Sequence, residues 1–276
     1  MKALRLTTLF IAALFTLGIS CAGTLAWAEE KGKTDMAALA KASQNPIADL
    51  ISLPFENTTN FEVGTEDAVT NDLTIKPVYP TRVSENWNLI NRALIPIKYQ
   101  EERFAGEGSD FGIGDITYQG FFSPVRSEEL VWGVGPMVVI PVGSGDRMSS
   151  DKWSAGPSVV GLMMPGNWVC GGLVSNVWSF AGEGEADDVN LFSFQYFINY
   201  NMKGGWYLTT SPTITANWEA DSDNTWTVPF GGGFGRVFKI GKQPVNMKLT
   251  GYYNADKPDY AADWTLQAQL TFLFPK

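Results

Sequence analysis

The 276-residue sequence contains no histidine. That absence removes the commonest general base, the commonest metal ligand and every Ser-His or Cys-His nucleophile pair. Basic residues are scarce as well: 20 Lys and Arg stand against 29 Asp and Glu, for a formal charge of −9. Binding through phosphates needs clustered Lys and Arg, so nucleic acid is excluded as a partner. Cysteine occurs only at Cys21 and Cys170. The long uncharged stretch Trp153 to Gly182 is broken by Pro165-Gly166-Asn167 and is rich in Gly, Val, Trp and Ser. It reads as two strands joined by a tight turn, not as a transmembrane helix.

What is present begins with an export signal. Lys2 and Arg5 precede an apolar run from Leu6 to Ile19, and Ala26-Trp27-Ala28 supplies small residues at the cleavage positions, which predicts a signal peptide over 1–28 cleaved after Ala28. Leu17-Gly18-Ile19-Ser20-Cys21 resembles a lipoprotein box only faintly, because Gly18 stands where a bulky aliphatic residue is wanted. After cleavage the formal charge falls from −9 to −11. Cys170 is then the only cysteine, so no intramolecular disulfide can form although the exported compartment permits one.

The rest of the chain repeats one unit, a segment with partial period-two alternation followed by a connection that is alternately short and long. Twelve such segments are predicted at about 50–62, 71–81, 86–99, 111–123, 129–142, 152–164, 167–181, 188–201, 205–219, 224–240, 243–255 and 262–274. The last is the clearest. Trp264, Leu266, Ala268, Leu270, Phe272 and Phe274 share one face, and Thr265, Gln267, Gln269 and Thr271 share the other. Similarly, Phe192, Phe194, Tyr196, Ile198 and Tyr200 alternate with Ser193, Gln195, Asn199 and Asn201. Apolar outside and polar inside is the arrangement of a transmembrane antiparallel β-barrel, and an even count is what a bacterial single-chain barrel needs. The expected organisation is a signal peptide (1–28), a periplasmic N-terminal segment (29–48) and the barrel (49–276). Thr34 to Ser43 can form a short helix ending before Asn45-Pro46. The segment is expected to be a flexible leader, with a periplasmic plug as the alternative.

The connections differ in charge as well as length. The short set is 82–85, 124–128, 165–167, 202–204 and 241–243. The longer set carries Glu101, Glu102, Glu107 and Asp110, then Asp146 and Asp151, then Glu183, Glu185, Asp187 and Asp188, then Glu219, Asp221 and Asp223, then Asp256, Asp259 and Asp263. Short turns face the periplasm in known barrels, so the acidic loops are expected outside and both chain ends in the periplasm. Trp87, Trp132, Trp168 and Trp206 lie beside short turns, and Trp153, Trp178, Trp218, Trp226 and Trp264 lie toward the long loops. Two interfacial aromatic girdles are expected, because an amphipathic indole settles at headgroup depth. Core tryptophans of a soluble β-protein would leave the signal peptide and the two classes of loop unexplained.

Charged residues within strands should point inward, since Arg or Lys on the lipid face costs ~2–4 kcal/mol at mid-depth. Glu56, Lys76, Arg92, Lys98, Asp115 and Lys248 are therefore the candidate lumen-lining residues. They would form either a selective constriction or a salt-bridged filling. No catalytic residue, metal ligand or cofactor site is expected. The acidic runs at Glu183 to Asp188 and Asp221 to Asn224 lack a calcium-loop pattern, and they read as solvated loops whose carboxylates at most share divalent cations with surface lipid. Gly231-Gly232-Gly233-Phe234-Gly235 is no phosphate cradle, because no Lys-Ser or Lys-Thr follows it, and it is expected to mark a bulge or a close strand approach.

Several stretches together carry a family resemblance: Ser52-Leu53-Pro54-Phe55-Glu56-Asn57, Trp87-Asn88-Leu89-Ile90, Gly114-Asp115-Ile116 and Trp132-Gly133-Val134-Gly135-Pro136. Phe197-Ile198-Asn199-Tyr200-Asn201, Gly205-Trp206-Tyr207-Leu208, Asn217-Trp218, Trp226-Thr227-Val228-Pro229 and the ending Phe272-Leu273-Phe274-Pro275-Lys276 extend it over nearly all of the exported chain. The sequence resembles an outer-membrane transporter-like family named after the meta-pathway of phenol degradation, whose members are sometimes labelled neuromedin U. The resemblance implies a barrel that moves small solutes, aromatic or hydrophobic ones among them, across the outer membrane. It carries over no binding residues. Phe274 is not the terminal residue, a departure from the usual C-terminal assembly signal of barrels.

The function expected is an outer-membrane channel or transporter for small solutes, in contact with outer-membrane lipid and lipopolysaccharide and with its oligomeric state left open. The alternative is a structural or surface-interaction barrel with a plugged lumen. An outer-membrane hydrolase stands third, since it would have to work without histidine.

Overall fold

Twelve antiparallel strands, each paired with the next and the last with the first, close into a barrel in the computed structural model. The structure describes residues 36–275 apart from 127, 128, 146, 183 and 185. The signal peptide, the faint lipoprotein box, Asp146, Glu183, Glu185 and Lys276 lie outside the described residues. The strands are β1 (Ile51–Val63), β2 (Ala68–Ile75 and Val78–Arg82), β3 (Trp87–Gln100) and β4 (Asp110–Ile113 and Ile116–Pro124). Next come β5 (Leu130–Ile140), β6 (Lys152–Met163), β7 (Trp168–Gly182) and β8 (Asn190–Asn201). β9 (Trp206–Thr210 and Thr213–Asn217), β10 (Trp226–Ile240), β11 (Gln243–Asp256) and β12 (Trp264–Phe274) complete the ring.

Closure follows from the solvent. In hydrocarbon every backbone N–H and C=O must find an internal partner, which only helices and closed sheets provide. No helix among the described residues is long and apolar enough to cross a membrane. The sheet closes where β1 pairs with β12 over Ile51 to Phe61. Unbroken strands run from 11 residues in β5 to 15 in β7 and β10. A tilted strand needs about 9–11 residues to span the bilayer.

Three of the twelve expected segments are single barrel strands with an interruption. β2 breaks at Lys76-Pro77 and β9 at Ser211-Pro212, where proline has no N–H to give the ladder. β4 breaks at Gly114-Asp115, and a Cβ on Gly114 would stand 2.7 Å from Lys98 Cε. The hairpin inside the uncharged stretch turns at 164–167, with Gly166 at φ 53°, a left-handed conformation that glycine adopts at no cost. The glycine run at 231–235 lies in β10 beside a register shift at Val228/Pro229. There, a Cβ on Gly235 would stand 2.3 Å from the Tyr207 ring.

The inner face is not polar throughout. Ile90, Phe121, Val160, Leu162, Val169, Leu173 and Phe197 form a buried apolar cluster near the short turns, closed by Ile47 from ahead of β1. A second cluster joins Leu39, Ala40 and Leu50 to Tyr207, Val237 and Leu273. Helix α1 (Met36–Gln44) supplies Leu39 and Ala40 to it. The expected flexible leader is thus, over 36–50, a packed segment held against the inner wall. A Cβ on Gly171 would stand 2.7 Å from Phe197 Cζ, so that glycine makes the room for the ring. The reason the leader is ordered is burial: an apolar inner face is costly in contact with water, and residues 36–50 carry the apolar surface that covers it.

Candidate functional site

Seven strands (β1, β2, β3, β8, β9, β11 and β12) and the N-terminal segment line a cavity of about 170 Å³ inside the barrel. Alternation along β1 turns Ser52, Pro54 and Glu56 inward, while Phe55 turns outward and packs edge-on against Phe272, 6.1 Å between centroids. Lys76 from β2, Arg92 from β3 and Lys248 from β11 line the same space. The Glu56 carboxylate holds Lys76 Nζ at 2.5 Å and Lys248 Nζ at 3.8 Å. A buried carboxylate needs such partners, because an uncompensated charge away from water is costly. Arg92 Nη1 is buried without a hydrogen-bond partner.

The floor of the cavity is the segment that precedes β1, pinned by polar contacts at several points. Gln44 Nε2 donates to Asn201 Oδ1 (2.9 Å), and Asn201 Nδ2 donates back to Gln44 Oε1 (3.0 Å). Asn246 Nδ2 donates to Ser43 Oγ (3.2 Å), and the Tyr207 hydroxyl donates to Asn246 Oδ1 (2.8 Å). Lys41 Nζ donates to the Gly166 carbonyl in the β6–β7 turn. The Asn45 side chain accepts from Ile47 N (2.9 Å), turning the chain from the helix toward β1.

Two of the six sequence-derived lumen candidates lie outside this cavity. Lys98 faces Asp72 across the β2–β3 ladder, farther toward the long loops. Asp115 anchors the β5–β6 loop, its carboxylate accepting from Gly143 N (3.1 Å), Ser149 Oγ (2.7 Å) and Ser150 N and Oγ (both 2.7 Å). Short range in sequence gave no sign of this, because Asp115 sits in the break of β4 and its partners lie about thirty residues downstream.

Tyr207 and Phe197 line the cavity and were not among the candidates. A trace of Phe197 was present, since it occupies a position where Ser193, Gln195, Asn199 and Asn201 are polar.

The long-loop end is tied together differently. Arg103 Nη2 binds Glu107 Oε1 at 2.6 Å, and Arg147 reaches Glu107 at 3.3 Å and Asp110 at 3.4 Å. The Arg103 hydrogen bond holds the Glu107 carboxyl down at about 2. Gly64 N donates to the Tyr260 carbonyl, Thr65 N donates to the Arg103 carbonyl, and Phe104 packs on Tyr260 at 5.4 Å.

All nine candidate girdle tryptophans are exposed, by 37% (Trp226) to 52% (Trp264). Trp87 meets Trp132 edge-on at 5.8 Å near the short turns, and Trp218 meets Trp226 at 5.5 Å near the long loops. Arg236 lies over Trp206, 5.1 Å from the ring.

The model of a family described as "Putative MetA-pathway of phenol degradation" matches residues 42–178. The fold is similar to an outer membrane channel from Pseudomonas putida F1, with a TM-score of 0.64, 14% identity, and 89% of this chain and 100% of that chain covered. It is also similar to the NanC porin, with a TM-score of 0.51, 9% identity, and 82% and 100% covered. A more remote likeness, to outer membrane phospholipase A from Escherichia coli, has a TM-score of 0.42, 14% identity, and 83% and 97% covered. At these identities the first two establish the outer-membrane barrel fold, and the third is too remote to bear on chemistry. Comparison with curated proteins gives no match.

Proposed function

We propose that this chain, whose residues 42–178 match the model of the family described as "Putative MetA-pathway of phenol degradation", is an outer membrane channel for small solutes, aromatic or hydrophobic ones among them. The observation that carries the reading is the charged and polar cavity around Glu56, Lys76, Arg92 and Lys248, enclosed within a closed barrel. Residues 1–28 act as the export signal, cleaved after Ala28, and 29–48 form a periplasmic N-terminal segment. The barrel occupies 49–276. The long acidic loops face outward and meet lipopolysaccharide, the short turns face the periplasm, and the tryptophan girdles sit at the two headgroup layers. The reading assigns no catalytic step and no cofactor.

On this reading the N-terminal segment is a stopper at the periplasmic end, and solute passes when it shifts. A second reading is favoured by the same packing: a barrel permanently filled by Ile47 and α1, with its outer loops as a contact surface. Liposome swelling and single-channel conductance decide between them, measured on the full chain and on a form beginning at Ile47, with sugars, amino acids and small aromatic acids. Solute-selective passage that rises on truncation supports the channel. No passage by either folded form supports the filled barrel.

A further inference from the structure

We propose that the cavity above the N-terminal segment binds a small organic monocarboxylate, a solute with one anionic head and a compact apolar body. The inference names the solute class of the channel proposed above and rests on that reading. It starts from a count of charge. The charged residues lining the cavity are Glu56, Lys76, Arg92 and Lys248, three cations to one carboxylate. Glu56 is engaged with both lysines, while Arg92 presents a buried Nη1 with no partner.

Two positive charges in excess, on side chains that are mostly buried, favour an anion, because partly buried charges are screened less by water and salt than exposed ones. The guanidinium fork suits a carboxylate in particular, since its parallel N–H groups can meet both oxygens at once. A cation would have to compete with Lys76 and Lys248 for Glu56. A neutral hydrocarbon would leave Arg92 Nη1 as it is, buried and unsatisfied.

Apolar lining fixes the rest of the solute. Leu50, Val78, Phe197 and Tyr207 line the same cavity, Val78 beside Arg92 on the neighbouring strand, and offer apolar surface to the part of the ligand that carries no charge. Inorganic phosphate or sulfate would waste that wall. The volume of about 170 Å³ is close to the roughly 150 Å³ known to admit one benzene ring. A single-ring or short-chain acid fits, and an oligosaccharide does not. Gln269, cross-strand partner of both Glu56 and Lys248, adds an amide group beside the charged corner, and Gln195 and Asn199 add two more to the lining from β8.

Benzoate is the probe, with benzyl alcohol as its neutral counterpart of similar shape. Both are titrated calorimetrically into the full chain, refolded in detergent, and into Arg92→Gln and Arg92→Lys. The expected result is binding of benzoate about tenfold or more tighter than benzyl alcohol, a loss of about tenfold in Arg92→Gln, and partial retention in Arg92→Lys. Equal affinity for the two probes in the unmodified chain overturns the proposal, and that comparison requires no variant to fold. Unchanged benzoate affinity in folded Arg92→Gln overturns it as well. Swelling assays on the same preparation separate the two levels of the argument. Benzoate binding without any solute passage removes the channel and leaves the site. Passage without benzoate preference removes the site alone.

Discussion

The two halves of the barrel interior are built from different materials. Toward the short turns the inner face is apolar, and Phe121, Ile90, Val160 and Val169 are fully buried under Ile47. Toward the long loops it is polar, with Thr58, Asn60, Asp72, Lys98 and Thr265 facing inward, and the rim above is acidic. The first half resembles the core of a soluble protein and the second the lining of a pore. At the boundary between them lies the cationic corner of Lys76, Arg92 and Lys248. The contrast teaches that a membrane barrel can be closed by ordinary hydrophobic packing from within, which places the barrier at one end and leaves the other hydrated. It also sets two charges in sequence. An acidic mouth repels anions only weakly, because salt screens exposed charge over a length of ~8 Å, whereas the mostly buried cations inside are screened less.

The comparison is broken most decisively by uncoupling the plug. Ile47→Asp places a carboxylate in the apolar half and should expel the segment, raising single-channel conductance by about an order of magnitude or more, since a buried unpaired charge costs several kcal/mol. An unchanged conductance in folded protein would mean that 36–50 do not form the barrier.

Next in size, Phe121→Ala should lower unfolding stability by about 3–5 kcal/mol, the usual cost of emptying an aromatic core site. Denaturant unfolding in detergent measures it, and a change no greater than that of Thr58→Ala on the polar half would erase the distinction between the halves.

Smaller again is Glu56→Gln, which releases both lysines into the cavity. The expected outcome is a shift of the zero-current potential in a salt gradient toward greater anion preference, with stability changed by about 1–3 kcal/mol as the pair is lost. A shift toward cations would contradict the charge count.

The smallest effect belongs to the rim. Arg103 keeps the Glu107 carboxyl at about 2, well below the ordinary carboxylate value. A depressed carboxylate contributes stability that is present above its ordinary range and is lost as pH falls through the depressed value. Protection of the loop 101–109 from proteolysis should therefore be the same at pH 7 and pH 4. Loss of protection between those values would show that the Arg103–Glu107 contact does not hold the loop in solution.

Most of the wall was legible from local chemistry. A period-two pattern states which face a residue takes whatever its partner strand is, so Glu56, Lys76, Arg92 and Lys248 could be assigned to the lumen one strand at a time. Turn residues such as Pro165-Gly166-Asn167 likewise act locally. The interruptions at Pro77 and Pro212 left the alternation readable on either side, and the strands continue past them. Asp115 was misjudged in role because its anchoring partners come from another loop. Phe197 and Tyr207 interrupt their polar faces, but nothing in their own strands says what they pack against.

Strand number, strand faces, the two classes of connection and the sign of charge at each end are therefore properties of the sequence by itself, since each depends on residues close together along the chain. The filling of the lumen was decided only by the tertiary structure. The apolar floor is assembled from one or two residues each of β3, β4, β6, β7 and β8, and no one of those strands exposes enough apolar surface to announce it. Residues 36–50 acquire their place when closure of the barrel brings those side chains together, because only the assembled surface is large enough for its removal from water to offset the entropy of ordering the segment.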